Sequence, residues 1–218
     1  MLFGRDVLLG VGETAVAAAV AGRGQLVLLG GEAGIGKTAL AVAIAEQGAA
    51  AGMVVRVGAC WEAEGLPPFT PWLEVLRRPG GDVTADVAVR IESGDSTVAT
   101  DPGAALRART RIFGEVIDAL HVVSREHPQL VLLEDLHWAD DLSLELVVAV
   151  AAHLPSMPVL IVATFRDDEL PRVNPLTSIG GNAERLLLEG LDLDAVTGIL
   201  HGALRRPLGA GEAEAVRR

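Results

Sequence analysis

Apolar residues in this chain fall into two rhythms. Residues 25–29, 53–57, 130–133 and 158–163 are short, almost unbroken runs of Val, Leu, Ile and Ala. They lack the polar–apolar alternation of a strand wetted on one face. That pattern predicts strands of a parallel sheet covered on both sides, and residues 185–188 read as a fifth. Longer stretches between them read as helices: 38–46, with good helix formers and no Gly or Pro, then 104–125 and about 142–153. Shorter helices are expected over 71–77 and 83–91, parted by Pro79-Gly80-Gly81, and a further one over 192–204. An N-terminal loop and helix lead into the first strand. Residues 60–71 form a loop carrying Trp61 and Phe69, and 92–102 a polar connection. Strands and helices in alternation predict an α/β fold in three layers, with helices on both faces of a parallel sheet. No internal repeat is visible.

Between the first strand and its helix lies Gly31-Glu32-Ala33-Gly34-Ile35-Gly36-Lys37-Thr38, a full match to the phosphate-binding loop G-x-x-x-x-G-K-[ST]. Strand, glycine loop and helix is the context this motif requires. Gly31, Gly34 and Gly36 let the backbone turn its N–H groups inward, toward anionic oxygens at the start of the helix. Lys37 is the chain's single lysine, and every other basic residue is arginine. A compact ammonium kept at this one position fits a narrow cradle of amides around a polyphosphate. Lys37 is expected to reach the β- and γ-phosphates, and Thr38 to place its hydroxyl on Mg2+.

A phosphate loop alone does not decide what becomes of the γ-phosphate. Glu134 and Asp135 follow the apolar run 130–133, so they emerge at the C-terminal end of a buried strand, where ligands of doubly wound sheets bind. One acid can hold magnesium, directly or through water, and the other can orient or deprotonate the attacking water. By position Glu134 takes the metal and Asp135 the water, although the two roles are interchangeable on sequence grounds. Arg166 follows the run 158–163 in Thr164-Phe165-Arg166-Asp167-Asp168, at the same edge. It suits a sensor that tells a triphosphate from a diphosphate through a charge-assisted partner. The competing reading is an exposed ion pair with Asp167 or Asp168. Asp140 and Asp141 read as helix N-capping residues, and His137 and Trp138 as packing at least as readily as catalysis.

Composition narrows the possibilities further. At 218 residues the chain fits one generous domain, and half its residues are hydrophobic. The net charge is −11 with no basic stripe, which disfavours direct nucleic-acid binding. Cys60 is the only cysteine, so no internal disulfide can form, and a reducing, cytoplasmic setting is expected. No apolar stretch approaches the ~20 residues that span a bilayer, so no membrane association is expected. Residues 15–21 have the apolar character of a signal-peptide core, but preceding Asp6 and Glu13 favour an ordinary helix.

Taken together, several segments resemble the AAA-type ATPase domain of STAND proteins, and in particular large ATP-binding LuxR-type regulators of actinobacteria. They are Phe3-Gly4-Arg5-Asp6, the 31–38 loop, Cys60-Trp61-Glu62, Pro67-Pro68-Phe69-Thr70-Pro71-Trp72, the stretch from Leu133 through Glu134, Asp135, His137 and Trp138 to Asp140, and Ala163-Thr164-Phe165-Arg166-Asp167. The likeness covers residues 3 to about 205. It implies a P-loop NTPase sheet of order 5-1-4-3-2, with ATP/ADP and Mg2+ as cofactors. It also implies an adenine-side segment over residues 1–24 with Gly4 and Arg5 near the base or ribose, a core at 25–190, and the start of a helical region at 191–218. The loop and Ala39 would hold the phosphates, Glu134 and Asp135 would be the Walker B acids, and Arg166 the sensor. The implied function is a nucleotide switch with slow hydrolysis, acting through a protein partner, self-association in the ATP state, or an attached transcriptional output. A turnover ATPase and a module that binds without hydrolysing are the alternatives. The chain departs from the pattern at Val7-Leu8-Leu9, where a glutamate is usual, and at Glu134, where aspartate is more frequent. The resemblance also leads one to expect further domains after Arg218, as in a fragment or a truncated relative.

Overall fold

The computed structural model describes residues 4–63, 66–77, 82–93, 102–169, 174–179 and 183–190. Five strands form one parallel sheet: β1 (Gln25–Gly30), β2 (Val54–Ala59), β3 (Gln129–Glu134), β4 (Val159–Thr164) and β5 (Ala183–Leu187). Their order is β2-β3-β4-β1-β5, the expected 5-1-4-3-2 seen from the other edge. The three central strands are the unbroken apolar runs because both their faces are covered. Leu26, Leu28, Val131, Leu133, Ile161 and Ala163 enter one core, while Val27, Leu29, Leu130, Leu132, Leu160 and Val162 enter the other. The period-2 geometry of a strand is intact, but both phases are buried.

The first core is roofed by α3 (Thr70–Leu76), α4 (Val83–Glu92), α5 (Pro102–Glu126) and α6 (Asp141–Ala151). The second lies under α1 (Asp6–Val20) and α2 (Lys37–Ala50). Ala15 and Ala19, within the stretch that mimics a signal core, are fully buried on α1. Edge strand β5 begins at Ala183, two residues before the expected start at 185. Ala183 and Glu184 pair with Leu26 and Val27, so backbone pairing sets the start, while Glu184, Arg185 and Leu187 stay exposed. Among the described residues no helix is long and apolar enough to cross a membrane. The helix expected over 192–204 and most of the polar connection after Glu92 lie outside the described residues.

Edge strand β2 carries a buried cation, Arg56. Its Nε donates to Gln129 Oε1 at 2.8 Å on β3, one terminal nitrogen donates to Thr84 Oγ1 at 3.0 Å and to the Val75 carbonyl at 3.2 Å, and the other donates to Asp82 Oδ2 at 2.6 Å. One guanidinium therefore ties β2, β3, α3 and the N-terminus of α4. Burial pushes the Asp82 carboxyl up, but hydrogen bonds from Thr84 and Arg56 outweigh it and hold the group below the usual aspartate value. Nearby, Gly58 allows α3 to dock against β2. A Cβ there would lie 2.0 Å from the Pro71 carbonyl oxygen.

Candidate functional site

β1 ends at Gly30 and α2 begins at Lys37, so the intervening loop must reverse direction within six residues. It does so through positive φ at Gly31 (143°), Gly34 (75°) and Gly36 (99°). A Cβ at Gly34 or Gly36 would meet nothing within 4 Å, so backbone conformation, and not crowding, selects glycine at these two positions. The amides of this turn and the N-terminus of α2 share one concave face.

Lys37 folds back over the loop and is only 7% exposed. Its Nζ donates to the carbonyls of Gly31 at 2.8 Å and Glu32 at 2.7 Å. Burial draws its pKa below the ordinary lysine value and Arg166 works in the same direction, against the opposing pull of Asp135, Asp167 and Asp168. A cation held by carbonyls alone, in partial isolation from water, gains strongly from an arriving anion.

Lys37 shares a cleft of about 280 Å³ with Ala33, Gly34, Gly36, Thr38, Asp135 and Arg166. The C-terminal ends of β1, β3 and β4 thus converge, as the parallel sheet requires. Asp135 has φ 57°, a left-handed conformation uncommon outside glycine. Its backbone N–H donates to Thr164 Oγ1 at 2.9 Å across the strand boundary, and its side chain is 44% exposed toward the cleft. Glu134 is directed differently. It is not among the residues lining the cleft, and its Oε1 is buried without a hydrogen-bond partner among the described residues. Arg166 lies on the cleft wall and is paired with Glu169, not with Asp167 or Asp168. The hydrogen bond it donates to the Glu169 carboxylate is the main reason its pKa is raised.

His137 and Glu169 complete this cluster. The His137 side chain is fully buried in a 3-10 turn after Asp135, with its ring 5.1 Å from that of Trp138. Asp140 caps α6 by accepting from Ser143 N at 3.0 Å and also accepts from Phe69 N at 3.2 Å, so the cap ties the loop after β2 to this turn. Cys60 is buried at the end of β2, and desolvation, with Asp140, Asp135 and Glu74 nearby, pushes its thiol up to about 12.

The remaining candidates are peripheral. Arg5 is 7% exposed, and one of its terminal nitrogens donates to the carbonyls of Ile35 at 3.1 Å and Glu189 at 2.9 Å. It pins the chain entry to the phosphate loop and to the exit of β5. Gly4 precedes it at φ 67°. Beside them a wider cleft is lined by Gly31, Ile35, Asp167, Leu188 and Glu189, among others. Ala39 lies in the first turn of α2 and lines neither cleft.

Does this donor set suit magnesium and a polyphosphate? Thr38 and Asp135 line the cleft, and the adjacent Glu134 has a buried Oε1 with no hydrogen-bond partner among the described residues. All three are hard oxygen donors of the kind magnesium takes alongside its waters. Lys37 and the glycine turn supply the complementary positive face. The residues fit.

Fold and site together define a P-loop NTPase. The AAA ATPase domain family matches residues 2–162, and the chain belongs to that family. Membership implies nucleotide binding. The fold is similar to a chain in the HORMA:CdnC:Trip13 complex of E. coli MS115-1, with a TM-score of 0.60 and 14% identity over 100% of this chain and 74% of that one. It is also similar to Thermotoga maritima RuvB, with a TM-score of 0.52 and 19% identity over 99% and 56%. AMPPCP-bound DnaA from Aquifex aeolicus gives a TM-score of 0.52 and 14% identity over 98% and 55%. The chain therefore spans between about half and three quarters of these proteins' lengths. No curated protein matches it significantly.

Proposed function

We propose that this domain is an ATP-binding switch with slow, Mg2+-dependent hydrolysis. The observation that carries the reading is the single cleft shared by Lys37, Thr38, Asp135 and Arg166. In this reading the loop amides and Lys37 bind the β- and γ-phosphates, and Thr38 and Glu134 hold the metal. Magnesium, when bound, screens charge on the phosphate oxygens and lowers the barrier to their separation. Asp135 orients a water and accepts its proton as the terminal phosphate leaves. Arg166 turns from Glu169 toward the γ-phosphate and so distinguishes ATP from ADP.

Slow turnover follows from the partners the two cations already have. Lys37 is bound to its own loop carbonyls and Arg166 to Glu169, so each must exchange partners before it serves the nucleotide. Such exchange favours two discrete states over rapid cycling. The output we propose is an attached or partner regulator of the LuxR type in the cytoplasm, reached through a protein contact or self-association in the ATP state. With a net charge of −11, DNA contact would fall to that partner or to another domain.

Steady-state phosphate release over a protein concentration series tests the proposal. A slow rate per subunit that rises with concentration is the expected outcome. Fast, concentration-independent turnover would favour a dedicated ATPase, and tight nucleotide binding with no release a module that only binds.

A further inference from the structure

The His137 imidazole is a buried polar group beside the cleft that the proposed chemistry does not use. Its side chain is fully buried, and neither ring nitrogen has a hydrogen-bond partner among the described residues. Buried polar groups are normally paired, so a ring with two orphan nitrogens calls for an explanation. Its surroundings are specific. Nδ1 lies 3.9 Å from Asp135 Oδ1, and Nε2 lies 3.4 Å from Glu169 Oε2. Both distances exceed that of a formed hydrogen bond, so the ring stands between two carboxylates and is committed to neither. The charged groups acting on it are those two acids together with Arg166 and Lys37, and burial weighs most against its cationic form.

A neutral imidazole carries one N–H, and ionised carboxylates only accept. His137 can therefore satisfy one of its two neighbours at a time. The neighbours differ in role: Asp135 faces the phosphate cleft, and Glu169 is the partner of Arg166. We propose that His137 is a positioning residue whose single N–H is exchanged between Asp135 and Glu169, coupling the state of Arg166 to the readiness of Asp135. While Arg166 holds Glu169, that carboxylate is compensated, and the N–H resides on Nδ1 and engages Asp135. When Arg166 leaves for a γ-phosphate, Glu169 takes the N–H on Nε2, and Asp135 is released to act on water. The Nδ1 proton is lost to solvent and one is taken up from solvent at Nε2, so the ring's net charge is unchanged and only the tautomer differs. The nucleotide-dependent half rests on the switch reading above, but the either/or exchange does not.

The test is 15N NMR of histidine-labelled full chain, with the His137 signal assigned by its loss in His137→Asn. Without nucleotide, Glu169→Ala is expected to leave the proton on Nδ1 and Asp135→Ala on Nε2. Identical tautomers in the two variants, or a doubly protonated ring in both, would overturn the exchange. With wild-type protein the tautomer is expected to move from Nδ1 in ADP to Nε2 in a non-hydrolysable ATP analogue. If wild type binds both nucleotides and the tautomer stays fixed, the coupling is wrong while the switch reading stands. If wild type binds neither, the switch reading fails, and the nucleotide-free pair of variants still decides the exchange. Amide replacements give an independent readout, because an Asn amide imitates Nδ1–H and a Gln amide Nε2–H. With equal nucleotide affinity, His137→Asn is expected to hydrolyse ATP about tenfold more slowly than His137→Gln, a modest share of a general-base effect. Equal rates would count against the mechanism.

Discussion

Asp135 and Thr164 belong to neighbouring strand ends, and the backbone N–H of Asp135 donates to the Thr164 hydroxyl at 2.9 Å. Asp135 holds a left-handed φ of 57°, and Thr164 is fully buried. The hydroxyl thus supplies an acceptor for an amide that has turned out of the β3 ladder. Thr164→Val keeps the shape and removes the acceptor. Leaving this part-buried donor unpaired is expected to destabilise the fold by about 1 kcal/mol, the lower end for a lost partner. Thermal unfolding checks that figure. Phosphate release is expected to fall more than nucleotide affinity does, because the side chain displaced is the one proposed to orient water. An equal loss of both would assign Thr164 to the fold alone.

Lys37, itself buried, donates to two carbonyls of its own loop at the floor of an open cleft. Removing the ammonium in Lys37→Ala leaves the glycine turn without its one charged donor and is expected to abolish ATP binding by calorimetry. Lys37→Arg is expected to fail as well, because a planar guanidinium does not fill a site shaped for a point charge. Wild-type affinity in the alanine variant would remove the loop from the nucleotide site.

How far the site was readable depended on where its parts lie in the sequence. The 31–38 loop is local, so strand, glycines, lysine and helix all appear in one window. The buried strands are readable because β1, β3 and β4 are apolar in both phases. Arg56 was not readable in this way. A charge inside a strand suggests exposure, and its partners Asp82, Thr84 and Gln129 lie 26, 28 and 73 residues away. Thr164 stood inside a recognisable segment, but its bond to Asp135 joins strands adjacent only through the β3–β4 register. Glu169 escaped notice for a subtler reason. Asp167 and Asp168 are nearer Arg166 in sequence, yet the turn after β4 brings Glu169 to it, three residues on.

The two acids differ in placement, and their variants are expected to differ accordingly. Glu134→Gln replaces a carboxyl whose Oε1 is buried without a partner among the described residues, and Asp135→Asn replaces one at the cleft wall. Both are expected to bind ATP near wild-type affinity and to release phosphate about 100-fold more slowly, within the range of a lost acid–base or metal-binding group. Titration with Mg2+ separates the two, since Glu134→Gln is expected to need more metal for half-maximal rate and Asp135→Asn is not. Undiminished release in both variants would overturn the acid assignments.

Arg166 reaches the cleft yet is held by Glu169. If it exchanges that partner for a γ-phosphate, it contributes to ATP binding and not to ADP binding. Charge-assisted hydrogen bonds are the stronger kind, so Arg166→Ala is expected to lower the ATP-over-ADP preference about tenfold. Competitive nucleotide titration measures the ratio directly, and an unchanged ratio returns Arg166 to an ordinary surface pair.

The Arg56–Asp82 pair lies away from the nucleotide cleft and gives the fold a pH dependence of its own. Arg56 is almost wholly buried and Asp82 mostly so, with N–O separation 2.6 Å. Arg56→Met retains much of the side-chain volume but strands Asp82, Gln129 and Thr84. It is expected to cost about 3 kcal/mol, the lower end for breaking a buried pair, because Asp82 retains some water. The folded-state pKa of Asp82 lies below its ordinary 3.8. The unfolded chain therefore takes up a proton first as pH falls, which favours unfolding. The contribution from Asp82 ionisation is full above about pH 5 and declines as pH drops through 3.8 and the depressed folded value. Urea unfolding of wild type and Asp82→Asn is expected to show a constant stability gap from pH 5 to 8 that narrows below pH 4. A gap that widens on acidification would reverse the sign and exclude Asp82 as the source.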